Sequence, residues 1–146
     1  MNLHESFAEE LAQDVDVAAL IADRIYPMVI PQKSREDAVR HGCLVYSRIA
    51  STRNINLCGT ERLTQSTMQV DAYAATFNVA KDGRAGALAI ARAARRCLTD
   101  FRGELGGTGG VVVKDIKCDS ENEFTDPDPG LYRISQTYTI WHLDDA

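Results

Sequence analysis

Apolar residues recur at helical spacing near the start of the chain, at Phe7, Leu11, Val15 and Ala18. The stretch Ser6-Phe7-Ala8-Glu9 has the form of a capping box, in which a serine and the glutamate three residues on satisfy the free amides at a helix start. A helix is therefore expected there, with Asp14 and Asp16 able to divide it into two short ones. DRIYP closes the run into a short strand, because Pro27 drives the residue before it towards extended geometry. Residues 31–42, PQKSREDAVRHG, are charged and turn-rich, which predicts a surface loop with one helical turn after Ser34.

The period then changes. Residues 43–52 and 64–75 are rich in Val, Ile, Tyr and Thr, as suits strands with one packed face and one wet face, and they are expected to pair as a hairpin. Between them, residues 53–63 read as a loop far longer than the usual 2 to 5 residues of such connections. Residues 79–101 carry the clearest helical stripe, Ala87, Ile90, Ala91, Ala94, Leu98 and Phe101, whose alanines permit close approach to a sheet. GELGGTGG at 103–110 is expected to end that helix by supplying left-handed backbone. Two more strands follow, 111–118 and 131–143, separated by an acidic loop with the turn signal DPDPG. The order predicts one α+β domain over 1–146: a mostly antiparallel sheet of about four to five strands packed against a long helix and an N-terminal helix.

Composition narrows the function classes. A chain of 146 residues can bury roughly 70% of the surface its unfolded state exposes, so a core forms without staples. The net charge of −5 argues against nonspecific coating of nucleic acid, which draws on clustered Lys and Arg. No apolar run is long enough to span a bilayer, and the acidic N-terminus lacks the form of a secretory signal. The four cysteines, Cys43, Cys58, Cys97 and Cys118, are irregularly spaced with no C-x-x-C, which favours buried free thiols over disulfides or zinc.

Catalytic and ligand motifs are weak. The glycine run lacks the lysine of a phosphate loop and joins helix to strand, whereas a phosphate cradle needs amides at a helix start. Asp119, Glu121 and Glu123 alternate without the glycine and final glutamate of a calcium loop, so a solvated loop is the better reading. His41 and Cys43 have no third group to orient a base. Arg84, Arg92, Arg95, Arg96 and Arg102 make the long helix basic on its outer side, either as a solvated face or as a surface for an acidic partner.

Taken in order, ADRIYP, CLVYSRIASTRNINLCG, TMQVDAYA, the alanine-rich helix and the terminal YRISQTYTIWH resemble the tail completion or tail terminator proteins of long-tailed bacteriophages, from about Ala22 to Leu143. The resemblance implies a structural virion protein with no catalytic residue, cofactor or metal. It implies a homohexameric ring on the last ring of the tail tube protein, joined to a head-completion protein. DNA would pass through without sequence-specific binding, and no membrane is involved. The protein would reside at the head-tail junction, after assembly in the host cytoplasm. The alternatives are another head-tail connector or minor tail protein, or an enzyme whose site is built from distant residues. Under the first reading, Arg53, Asn54, Ile55, Asn56, Leu57, Gly59, Thr60 and Arg62 form an arm that grips a neighbouring subunit or the tube. Arg53 and Arg62 can fork onto carboxylates, while Ile55 and Leu57 offer apolar anchors. Arg84, Arg92, Arg95 and Arg96 are a second candidate interface.

Overall fold

The computed structural model describes residues 2–56, 59–77, 86–125 and 131–143. Its first helix, α1 (Leu3–Gln13), opens at Asn2. The Asn2 side chain accepts from the Glu5 amide at 2.9 Å, and the Glu5 carboxylate accepts from the Asn2 amide at 3.2 Å. The capping box is thus one turn earlier than the Ser6–Glu9 pattern suggested. Ser6 is fully buried instead, because its Oγ accepts from the Val111 amide at 3.0 Å across the core. Helix α2 (Val15–Ile21) follows after a single residue, Asp14, whose extended backbone ends α1 and whose carboxylate accepts from the Val17 amide at 3.0 Å. The predicted division of the run therefore falls at Asp14.

The R-I-Y-P segment has a specific mechanical role. Arg24 donates to the carbonyls of Gly42 and His41 at 2.8 and 3.2 Å, so it caps the C-terminal end of α3 (Arg35–His41), where cations and donors are favoured. Ile25 packs on the main core and Tyr26 on a smaller one, as successive strand residues must. Strand β1 (Ile25–Pro27) lies at the edge of the sheet, the position in which a proline is tolerated. The predicted loop at 31–42 holds more helix than expected, a 3-10 turn at Gln32–Ser34 and two turns of α3.

Six strands form one mixed sheet in the order β1-β2-β3-β6-β5-β4. Strands β2 (Cys43–Asn56), β3 (Gly59–Ala74), β5 (Val112–Thr125) and β6 (Tyr132–Leu143) make the antiparallel body, and β4 (Gly103–Glu104) pairs with the start of β5. The expectation of four to five mostly antiparallel strands is corrected in two ways: the sheet has six strands, and β1 runs parallel to β2. The additional strand is β4, whose two residues are too few to show a period-2 pattern, whereas the short strand at R-I-Y-P was expected and only its parallel direction was not.

Helices α1, α2 and α4 (Ala87–Leu98) share the main core with Leu44, Tyr46, Met68, Val70, Ile134, Tyr138 and Ile140. Ala38 of α3 packs with Cys43 and Val45, the residues that alternate with Leu44 and Tyr46, so α3 covers a corner of the opposite face. Five members of the predicted α4 stripe, Ala87, Ile90, Ala91, Ala94 and Leu98, are buried, and Phe101 is half-buried beyond the helix. The helix ends earlier than predicted, at Leu98. Asp100, with φ of 63°, supplies the left-handed residue expected of the glycines. The glycine run instead fits against α1: a Cβ on Gly106 would meet the Ser6 carbonyl oxygen at 2.8 Å. The Gly106 amide donates to the Glu10 carboxylate at 3.0 Å, and Gln13 donates to the Gly106 carbonyl at 3.1 Å.

If α4 packed on the sheet is the mainstay of the core, Leu98→Ala or Ile90→Ala should each destabilise the fold by about 2–5 kcal/mol. Thermal or denaturant unfolding checks this, and an unchanged midpoint for both variants would show that the stripe carries little of the stability.

Candidate assembly surfaces

The predicted loop between the central strands is in fact strand. The β2–β3 ladder continues through Arg53↔Thr64, Ile55↔Thr60 and Asn56↔Gly59, with irregularities at Ile49 and Asn54. The described part of β6 ends at Leu143, opposite Leu63. Beyond that row, among the described residues, β2 and β3 pair only with each other, so Asn54–Asn56 and Gly59–Arg62 form a two-stranded ribbon. Arg53 stands exposed at its base. Leu57, at the tip, lies outside the described residues. The ribbon was misread because its sequence, STRNIN then GTERL, lacks apolar alternation.

The helix arginines divide. Arg84 lies outside the described residues, and Arg92 and Arg96 are exposed beside a shallow recess shared with Asp16 and Leu20 of α2. Arg95 is engaged within the chain, donating to Glu121 at 3.2 Å. Glu121 in turn accepts from Gln136 Nε2 at 2.9 Å, and that same amide donates to the Ala91 carbonyl of α4 at 2.9 Å. The Tyr138 hydroxyl donates to Gln136 Oε1 at 2.7 Å, and burial pushes this phenol well above its ordinary range. Gln136 is fully buried, so the network satisfies a polar group that would otherwise be costly. It also moves the acidic residues from loop to strand. Asp119, Glu121 and Glu123 all lie within β5, and the Asp119 carboxylate accepts from Thr139 Oγ1.

One arrangement with catalytic form was missed in the sequence. Ser66 Oγ and His142 Nε2 lie 2.8 Å apart, and His142 Nδ1 is 3.0 Å from the Leu143 carbonyl oxygen. The two residues are 76 apart in sequence and carry no motif, so only the register of β3 with β6 reveals them. Both are buried, at 0% and 2% exposure, which denies a substrate access and makes the pair a satisfied core contact. His41 faces Asp37 at 3.5 Å on the exposed side of α3, away from any nucleophile role for Cys43, which is fully buried. Burial pushes the Cys43 thiol up to about 12. A recess of about 240 Å³ beside α3 is lined by Met28, Val29, Ile30, Arg35, Val45, Asp71, Tyr73 and Leu131. No cluster of His, Cys, Asp and Glu able to hold a metal occurs among the described residues. Among the same residues, no helix is long and apolar enough to cross a membrane.

Comparison with known proteins gives the chain its family. The sequence matches the family of the tail completion protein gp17 over residues 7–143, nearly the whole chain. The chain belongs to that family. As a tail completion protein it is a structural component of a phage virion and not an enzyme. Its fold is similar to a chain in the virion of a native gene transfer agent particle, with a TM-score of 0.70 at 14% identity, over 97% of this chain and 95% of that one. Comparison with curated proteins returns no match.

For this tail completion protein the thiol behaviour is a direct test of the closed site. The folded Cys43 thiol stays protonated where an unfolded thiol, near 9.0, has begun to ionise. Its contribution to stability is therefore complete below about pH 9 and lost as the pH rises towards about 12. Alkylation at pH 8 followed by peptide mapping should leave Cys43 unmodified in the folded chain and modified in urea. Labelling of the folded chain at the denatured rate would contradict the buried assignment.

Proposed function

We propose that this tail completion protein caps the last ring of the tail tube as a hexameric ring, stops tube growth and presents the surface to which head-completion proteins join. DNA would pass through the ring without being read. Tail completion is the property of the family, and the ring and its neighbours are our extension of it. The observation that carries the extension is the β2–β3 ladder, which among the described residues continues as a two-stranded ribbon beyond Leu143, the last described residue of β6. A two-stranded ribbon with no sheet beneath it is marginal in water alone, so a partner surface is its natural support.

In this reading the ribbon residues Arg53, Asn54, Ile55, Asn56, Gly59, Thr60 and Arg62 contact a neighbouring subunit or the tube. The rigid base is the β2–β3–β6 ladder, and guanidinium groups from Arg53 and Arg62 would meet carboxylates there. Arg92 and Arg96 on α4 are a second, smaller contact for an acidic surface. Six copies, each at −5, would carry −30, so contacts between subunits must set basic surface against acidic.

Replacing residues 54–62 by an Asn-Gly turn tests the arm. The shortened chain should fold with a near-normal melting curve, because the removed ribbon shares no ladder with β6. Tails assembled with it should remain uncapped or unjoined to heads. Unfolding would place the segment in the core, and normal particles would rule the arm out.

A further inference from the structure

Among the described residues, the sheet leaves two strand edges uncovered, at its opposite sides. On one side β1 covers β2 only at Leu44–Tyr46, and the Met28 amide adds a last bond to the Tyr46 carbonyl. Among the described residues, β2 from Ser47 to Asn56 has no outer neighbour. On the other side β4 covers Val112 and Val113, and the Asp100 amide reaches the Ile116 carbonyl at 2.9 Å. From Cys118 to Thr125 the outer edge of β5 is likewise uncovered. Unpaired edges of this length are usually blunted or used.

These two edges are complementary in direction, chemistry and facing. Three antiparallel steps separate β2 from β5, so the two strands run in opposite directions. Setting β5 of one copy beside β2 of the next therefore continues the antiparallel ladder. The charged residues of β2 over 47–56 are Arg48 and Arg53, while those of β5 over 118–125 are Asp119, Glu121 and Glu123. Arg48 and Arg53 pair in register with Met68 and Thr64, and Glu121 and Glu123 with Gln136 and Ile134. All four of those partners are buried, and they lie on the helix-bearing face, so the arginines and glutamates share it. Each edge also exposes a large apolar residue, Ile49 at 55% and Phe124 at 43%. The ladder irregularities at Ile49, Asn54 and Asp119 leave regular stretches at 50–53 and 120–125 for pairing.

We infer that copies of this chain join edge to edge, β2 of one against β5 of the next, so that the sheets of neighbouring subunits run on into one another. Resting on the ring reading above, this names the contact that builds the ring. The charges select this arrangement over the symmetric ones. A β2–β2 dimer would oppose arginines to arginines and a β5–β5 dimer would oppose acids to acids, and like charges directly opposite are destabilising. A head-to-tail contact leaves a fresh β2 and a fresh β5 after every addition, and closes only as a ring.

Two sets of variants test this. In the first, Ala50→Cys and Asn122→Cys are combined in one chain. Both positions are exposed on the face opposite α1, α2 and α4, and within one molecule they are separated by two intervening strands and a four-residue offset along them, roughly 20 Å at the usual strand spacing and rise. A short bismaleimide should link the double variant into a ladder of multimers reaching the ring, whereas either single variant and the native chain with its own thiols should not give that ladder. In the second, Arg48→Glu/Arg53→Glu and Glu121→Arg/Glu123→Arg should each raise the concentration needed for half-assembly at least tenfold, and an equimolar mixture should restore it. Glu121 also holds Arg95, so each variant's melting curve is recorded, and the cysteine pair decides if the acidic variant does not fold. If the native chain rings on tubes while the cysteine pair gives no ladder and the charge reversals change nothing, the edge contact is wrong and the ring stands. If the native chain is monomeric even on tubes, both readings fall.

Discussion

The pairing of β3 with β6 is the constraint on which the rest of the molecule depends. Twelve consecutive residue pairs, from Leu63↔Leu143 to Ala74↔Tyr132, run without a register shift, while every irregularity in the sheet falls on the flanking ladders. That straight centre fixes the side-chain alternation for both strands. One face then carries Met68, Val70, Ala72, Ile134, Tyr138 and Ile140 under the helices. The other carries Gln69, Asp71, Thr137 and Trp141, with Gln69 donating to Asp71 at 3.2 and 3.3 Å. A slip of one residue would exchange these sets and bury the polar one.

From this centre the other elements follow in order of dependence. Helix α4 lies close on the sheet because its contact face is largely alanine, close enough for Gln136 to reach a helix carbonyl. Helix α1 is held by the glycine run through Gly106 and by Ser6 on Val111, and α2 follows through the shared cap at Asp14. Arg24 then joins α3 to β1 and so sets the parallel edge strand. Among the described residues, backbone hydrogen-bonding capacity stays open along the outer edges of β2 and β5, while inside the molecule the hydroxyls of Thr76 and Thr99 are buried without a partner. Open strand edges of this kind are suited to pairing with another chain.

The sequence showed the parts that repeat with a clear period and concealed those that do not. The α4 stripe, the split at Asp14 and the strand pair around Val45 and Val70 were legible because apolar residues mark their buried faces. The capping box was misplaced since Ser6 and Asn2 are equally good caps by type, and only the distant Val111 amide decides between them. Residues 53–56 of β2 and 119–125 of β5 read as loops because polar residues dominate these segments and leave no period-2 apolar pattern. Glu121 and Arg53 are cases of this. The Ser66–His142 contact and the Gln136 network depend on strand register, which no local pattern encodes. The segment 53–63 stands out in the sequence by its length, while its strand structure has no local signature.

The central claim is that this chain completes tails as a ring of its own copies. Mass measurement of the protein alone, and of tail tubes before and after its addition, tests that most directly. The account predicts a gain at the tube end of six chains of 16.1 kDa, whatever the state of the protein free in solution. A gain of a single chain per completed tail would contradict it.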